Sequence, residues 1–332
     1  MTGAAGPVVI ENEAMRVTVN PQVGGTINAI THIATGLSVL GQVPWDAISL
    51  PIGSFAARDE IEWLTRYTGG WPLLFPNGGD ACSIDGVFHG FHGEASISPW
   101  RVEAGPRSLR LWRRFYAVPV EMERNLAVDG DSLVVTEHLR MRGAHPLEVM
   151  WGHHPTFGSD LLAGPVEITS GGGKVKVDDN FDPPANPLRP GASGMWPEVD
   201  GKSGPFDLRH PAEVMSALAY LHDLKDAWLA IRRRDNAIAV QLSWDGSRFP
   251  CAWLWYELAG TQDAPWHGRG ALIGLEPNTT MPAYGIATAK SRGASLLRLH
   301  PGQEIETSLR LKVFVPSGPI VMADTSARGG IR

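Results

Sequence analysis

Runs of alternating apolar and polar residues, each ended by Gly, Pro, Asp or Asn, recur along almost the whole chain. Met15 to Val19 alternates, and Thr26 to His32 follows a Gly24-Gly25 turn. The runs Leu109–Phe115, Ser132–Met141, Leu147–His153, Ala227–Arg232 and Ala237–Ser243 come next. Cys251–Tyr256, Ala271–Glu276, Ser295–Leu299 and Glu304–Val315 complete the series. A period of two places successive side chains on opposite faces, which is the signature of a half-buried strand. Asp129-Gly130-Asp131 between two such runs reads as a hairpin turn. Only Pro211–His222 reads as a candidate helix. The pattern predicts an all-β chain, a large antiparallel β-sandwich, in one domain over residues 1–332. The stretch at about 171–211 is rich in Gly, Pro, Asp and Asn and lacks periodicity. An interdomain linker has that composition, but strands of one character flank it, so it is expected to be a long rim loop that walls the site.

Composition narrows the function classes. Hydrophobic residues make up 43% and charged residues 19%, with a formal charge of −6 and no basic run. That balance argues against a nucleic-acid surface. No run is long enough to span a membrane, and Met1 to Pro7 carries no basic leader, so a cytoplasmic location is the default expectation. Cys82 and Cys251 lie far apart, and Cys251 opens the apolar run Cys-Ala-Trp-Leu-Trp. A buried small hydrophobe is the expected role there, rather than a disulfide partner.

Two strand ends carry chemistry. Ala271–Leu275 is apolar and stops at Glu276-Pro277, and Leu147–Gly152 stops at His153-His154-Pro155-Thr156-Phe157. A carboxylate and an imidazole can together move two protons at one substrate. Glu276 could instead close a buried ion pair, and only one of the two adjacent histidines can face a pocket. Two loops, Arg66–Asp80 with Trp71 and Asn77, and Phe88–Glu94 with His89, His92 and Glu94, are too rich in aromatic and polar residues for spacers. His89 could also be a turn histidine, and Trp71, Trp151, Trp253 and Trp255 could be core residues. His89, His92 and Glu94 with His154 could ligate Zn²⁺ or Mn²⁺ in a cupin-like site. Their spacing is not the usual cupin one.

Gly69-Gly70-Trp71-Pro72-Leu73-Leu74-Phe75-Pro76-Asn77, the His92-Gly93 pair before Trp100, His154-Pro155-Thr156-Phe157 and Leu275-Glu276-Pro277 occur in this order along the chain. The ordered set, with the opening Asn12–Leu40, resembles the aldose 1-epimerases (galactose mutarotases). Its first stretch is similar to the hexose-6-phosphate epimerase branch. The resemblance implies a galactose mutarotase-like β-supersandwich and exchange of α and β anomers of a small-molecule sugar. It implies Glu276 as base, His154 as acid, and His92 and Arg66 as sugar contacts. Trp71, Asn77, His89 and Glu94 are candidate contacts from the same loops. Ser96 stands where an arginine is usual, and Glu94 where an apolar residue is common, so substrate identity stays open. Ring opening takes a proton from the C1 hydroxyl and gives one to the ring oxygen, with no metal or organic cofactor required. The imidazole must hold a proton at rest, so its neighbours are expected to favour the charged or donor form. A carbohydrate-binding or sensor protein on the same fold is the alternative.

Overall fold

The computed structural model describes residues 6–48 and 55–320. The first five residues of the Met1–Pro7 segment lie outside them. Two large antiparallel sheets carry the chain. The eight-stranded sheet runs, edge to edge, through Val166–Ser170, Trp228–Arg233, Ala239–Trp244, Glu304–Phe314, Ser132–Met141, Val120–Asp129, Ser108–Arg114 and Arg101–Ala104. The ten-stranded sheet has Met215–His222, Cys251–Leu258 and Ala271–Asn278 at its centre, and short strands Gly152–His153 and Leu73–Leu74 at one side. Apolar side chains of both sheets, such as Leu126, Val135, Leu254, Tyr256 and Leu275, form one core between them.

The alternation explains this layering. Val120, Met122, Leu126 and Val128 point inward from one strand, and Leu133, Val135, Leu139 and Met141 from the next. Asp129 pairs with Ser132, so Gly130-Asp131 forms a two-residue turn with Gly130 at φ 55°. Two expectations fail. Pro211–His222 is not a helix: Met215–His222 is a strand between Lys174–Val177 and Cys251–Leu258. Apolar groups cover both of its faces, which erases the period-two signal. Residues 171–211 are not a plain loop either, for Lys174–Val177, Ser193–Met195 and Glu198–Gly201 are strands at the edge of the ten-stranded sheet. Their shortness and glycines hid the alternation.

One charged pair breaks the inward apolar pattern. Arg124 and Glu137 occupy core-facing positions on neighbouring strands, are register partners, and are fully buried. Arg124 Nε donates to Glu137 Oε1 at 2.7 Å, and Arg124 Nη1 donates to the Gly25 carbonyl at 3.2 Å. Glu137 Oε2 accepts from Trp151 Nε1 at 3.0 Å, and His153 Nε2 lies 3.3 Å from it. Trp151 and His153 belong to the opposite layer, so this carboxylate joins the two sheets. Burial pushes the Glu137 carboxyl up, but His153 and Arg124 outweigh it and hold the group down at about 2.

Arg124→Met keeps much of the volume and strands the Glu137 charge in the core. Breaking a buried pair from one side typically costs about 3–5 kcal/mol, and urea unfolding should show a loss of that order. A loss below ~1 kcal/mol would show that the charge pair does not hold the layers together.

Candidate active site

The outer face of the ten-stranded sheet builds the site. In Ala271–Asn278, Ile273 and Leu275 enter the main core, so Gly274 and Glu276 face outward. Trp253 pairs with Glu276 and Trp255 with Gly274. Gly274 is required here: a Cβ at that position would lie 2.2 Å from Glu276 Oε1. The missing side chain leaves the space into which the carboxylate folds back.

His154 reaches the same place from the other strand end. Its main-chain N–H donates to the Pro72 carbonyl at 3.0 Å. His153 turns into the core toward Glu137, and His154 turns outward. His154 Nδ1 lies 3.4 Å from Glu276 Oε1, with 5% and 2% of the two residues exposed. The acid/base pair expected from sequence is thus brought together.

Aromatic rings wall the pair. His154 stacks beneath Trp63 at 5.9 Å between ring centres, and meets His92 edge-on at 5.2 Å and Trp255 at 5.7 Å. Trp63 sits in the short helix Glu60–Leu64, whose first turn is capped by the Asp59 side chain accepting from the Glu62 N–H. Tyr67, one turn further, stacks on Trp63 at 4.4 Å. Its hydroxyl bonds Thr156 Oγ1 at 2.8 Å, and Thr156 Oγ1 in turn donates to the Gly70 carbonyl. Tyr67 is therefore the donor in the first of these bonds. Trp63 and Tyr67 escaped the sequence reading, although two aromatics four residues apart mark one helix face.

Loss of water sets the protonation states. Burial pushes the Glu276 carboxyl well above its usual range and the His154 imidazole down to about 3. Both shifts favour the uncharged form. The resting pair is a protonated carboxyl beside a neutral imidazole, so the donor form of His154 is the neutral N–H and not the cation. Burial also lowers His92, and neighbouring His154 lowers it further. His92 Nδ1 accepts from the Gly79 N–H at 2.9 Å, which leaves its proton on Nε2. His92 adopts φ 55° to make this turn.

The other expected contacts divide. Arg66 is buried beside Trp63 and Tyr67, and its Nε and Nη2 have no partner. Trp71 does not face the site: it is wholly buried and its Nε1 donates to His153 Nδ1 at 3.2 Å. Asn77 organises loops instead of offering its amide outward. Its Nδ2 donates to the Asp80 and Gly90 carbonyls, and its Oδ1 accepts from the Ile286 N–H. Glu94 is engaged by Arg113 and by the Tyr116 and Ala117 N–H groups. His89 is buried in the strand Val87–His89 with Nδ1 unbonded. Ser96 accepts from Trp63 Nε1 at 3.0 Å and so supports the aromatic wall. With Glu94 turned to Arg113 and His92 Nδ1 to Gly79, the metal-ligand arrangement is not formed. No group of three metal-binding side chains occurs among the described residues.

Cavity volume does not locate this site. The space beside Arg66, Trp63 and Tyr67 is about 10 Å³, room for one water. A larger cavity of about 570 Å³ lies over the eight-stranded sheet, lined by Arg101, Arg110, Trp112, Glu123, His138 and Arg140. Arg101, Trp112, Glu123 and His138 are successive cross-strand partners there, and Arg110 pairs with Glu103 and Glu123. That surface is a polar sheet face laced by ion pairs. No helix among the described residues is long and apolar enough to cross a membrane. Cys251 is buried, as expected, and its thiol is free.

No family model and no curated protein matches the chain. Solved structures do. The Slr1438 protein from Synechocystis sp. PCC 6803 is 16% identical, with a TM-score of 0.65 over 93% of this chain and 96% of that one. A galactose mutarotase-like protein from Lactobacillus casei ATCC 334 is 15% identical, with a TM-score of 0.63 over 93% and 100%. A galactose mutarotase related enzyme from Lactobacillus acidophilus is 14% identical, with a TM-score of 0.61 over 95% and 100%. Similarity at this level of identity speaks to architecture, and it spans nearly the full length of each chain: the fold is the galactose mutarotase-like β-sandwich.

Proposed function

We propose that the protein exchanges the anomers of an aldose by acid/base ring opening, with Glu276 as base and His154 as acid. The observation that carries this reading is the 3.4 Å approach of His154 Nδ1 to Glu276 Oε1 in a water-poor, aromatic-walled site. Ionised Glu276 takes the C1 hydroxyl proton while a His154 N–H supplies the ring oxygen. Rotation about C1–C2 and reclosure on the other face give the second anomer, and the two protons return. Each transfer by a positioned group contributes about 10²–10⁴-fold. His92 and Arg66 supply N–H donors to sugar hydroxyls in this reading. Trp63 must leave the face of His154 for a pyranose to enter.

That closure also favours a second reading, a protein that binds a sugar without converting it. Anomer exchange followed by NMR across a panel of free and phosphorylated aldoses separates the two. Exchange above the uncatalysed rate supports the enzyme, whereas binding without exchange supports the sensor.

Glu276→Gln keeps shape and removes the base, so kcat should fall by about 10²-fold or more with the fold intact. Near-normal turnover in a folded variant would remove Glu276 from the chemistry.

His154→Asn should lower kcat while leaving unfolding nearly unchanged. His153→Asn should act first on stability, because His153 sits in the core beside Glu137. A reversed pattern, with turnover lost only at His153, would assign the acid to the wrong histidine.

The pH profile has a definite sign. The base works ionised, and burial raises it, so kcat/KM should climb with pH through a midpoint above the ordinary 4.5. His154, held down at about 3, should add no limb near 6.5. An acid limb at or below 4.5 would contradict a buried base.

A further inference from the structure

The strand that presents His154 is weakly held by its backbone. Gly152–His153 has two residues and meets Ala271–Asn278 at one pair, Gly152 with Asn278. On its other side it meets only Leu74 and Leu73. So short a ladder leaves the tilt of the next residue, His154, open. The side chains on the inner face close that freedom. Trp151 and His153, two residues apart, both turn inward and both meet one atom, Glu137 Oε2, at 3.0 and 3.3 Å. Glu137 stands on the facing sheet, and its other oxygen is held by Arg124. Trp71 Nε1 donates to His153 Nδ1, so the proton of His153 lies on Nε2, toward Glu137. Trp71 immediately precedes Pro72, whose carbonyl holds the His154 N–H. One carboxylate thereby fixes the strand before His154 and, through His153, the segment beside it.

We propose that Glu137 is a positioning residue for the acid/base pair. It clamps Trp151 and His153 from the opposite sheet and so sets the place of the His154 ring relative to Glu276. It touches neither substrate nor reacting atoms. The proposal rests on the anomer-exchange reading for its kinetic consequence, while its geometric consequence stands without it.

The test uses the donor and acceptor pattern. In Glu137→Gln the amide oxygen faces Arg124, and the NH₂ group faces the Trp151 and His153 N–H groups, which it repels. The expected result is a kcat about tenfold lower or worse with KM within about twofold, since small misplacements of a reacting group cost this much. In Arg124→Met/Glu137→Gln no cation holds the amide oxygen. The amide turns, its oxygen accepts from Trp151 and His153 again, and most of kcat should return. Should Glu137→Gln not fold, Trp151→Phe replaces it: this removes one clamped donor, leaves the Arg124 pair intact, and should lower kcat in the same way. Unchanged kcat in folded Glu137→Gln overturns the proposal. So does a double variant that regains thermal stability without regaining kcat. The ¹⁵N and ¹H shifts of the His154 ring give a readout free of turnover. They should move in Glu137→Gln and return in the double variant, and shifts that stay in place overturn the clamp. A wild-type protein that exchanges no sugar, with His154 shifts that do respond, would sink the functional reading and leave the clamp standing.

Discussion

Between the two sheets, where the alternation calls for apolar groups, lies the carboxylate of Glu137 with the guanidinium of Arg124. Taking such charges out of water is costly, and it is tolerated only where the geometry is good and the lone pairs are used. Here Oε1 takes Arg124 Nε and Oε2 takes Trp151 Nε1, with His153 beside it. A hydrophobic pair of similar volume would pack the layers equally well. It would not specify direction. The ion pair, through its hydrogen bonds, fixes which residue of a two-residue strand turns inward and which turns to the site.

On the far side of that strand the same physics, absence of water, has a different result. Glu276 and His154 have no strong ionic partner, so burial drives both toward neutrality. The two shifts link to stability with opposite signs. Above 4.5 the unfolded chain releases a Glu276 proton that the folded chain keeps, so stability is lost as pH rises through the raised folded value. Below 6.5 the unfolded chain binds a His154 proton that the folded chain refuses until about 3, so stability is lost as pH falls across that range. A site that costs stability at both ends of the pH scale is what a water-excluding proton-transfer centre requires.

Much of this was legible in the sequence, for physical reasons. Alternation exposes half-buried strands, so the sandwich and the Gly130-Asp131 hairpin could be read directly. The strand-end carboxylate and imidazole could be read too, because each follows an apolar run. Met215–His222 could not be told from a helix, since a strand buried on both faces has no period. The edge strands within 171–211 are too short to show one. Trp71, Asn77 and Glu94 looked like site residues because of their loop, but the side-chain partners that claim them, His153, Ile286 and Arg113, lie far off in sequence. The inward charges at Arg124 and Glu137 were visible as breaks in two alternating runs around one hairpin. Their pairing followed from the turn, and only their link to Trp151 and His153 needed the fold.

A crystal structure with an aldose bound would test the site most directly. The C1 hydroxyl should lie within hydrogen-bond reach of Glu276 and the ring oxygen within reach of His154, with Trp63 displaced from the His154 ring. A sugar seated elsewhere, for example over the Arg101–Trp112–Glu123 row of the other sheet, with Trp63 still covering His154, would contradict the assignment of this pair as the reacting centre.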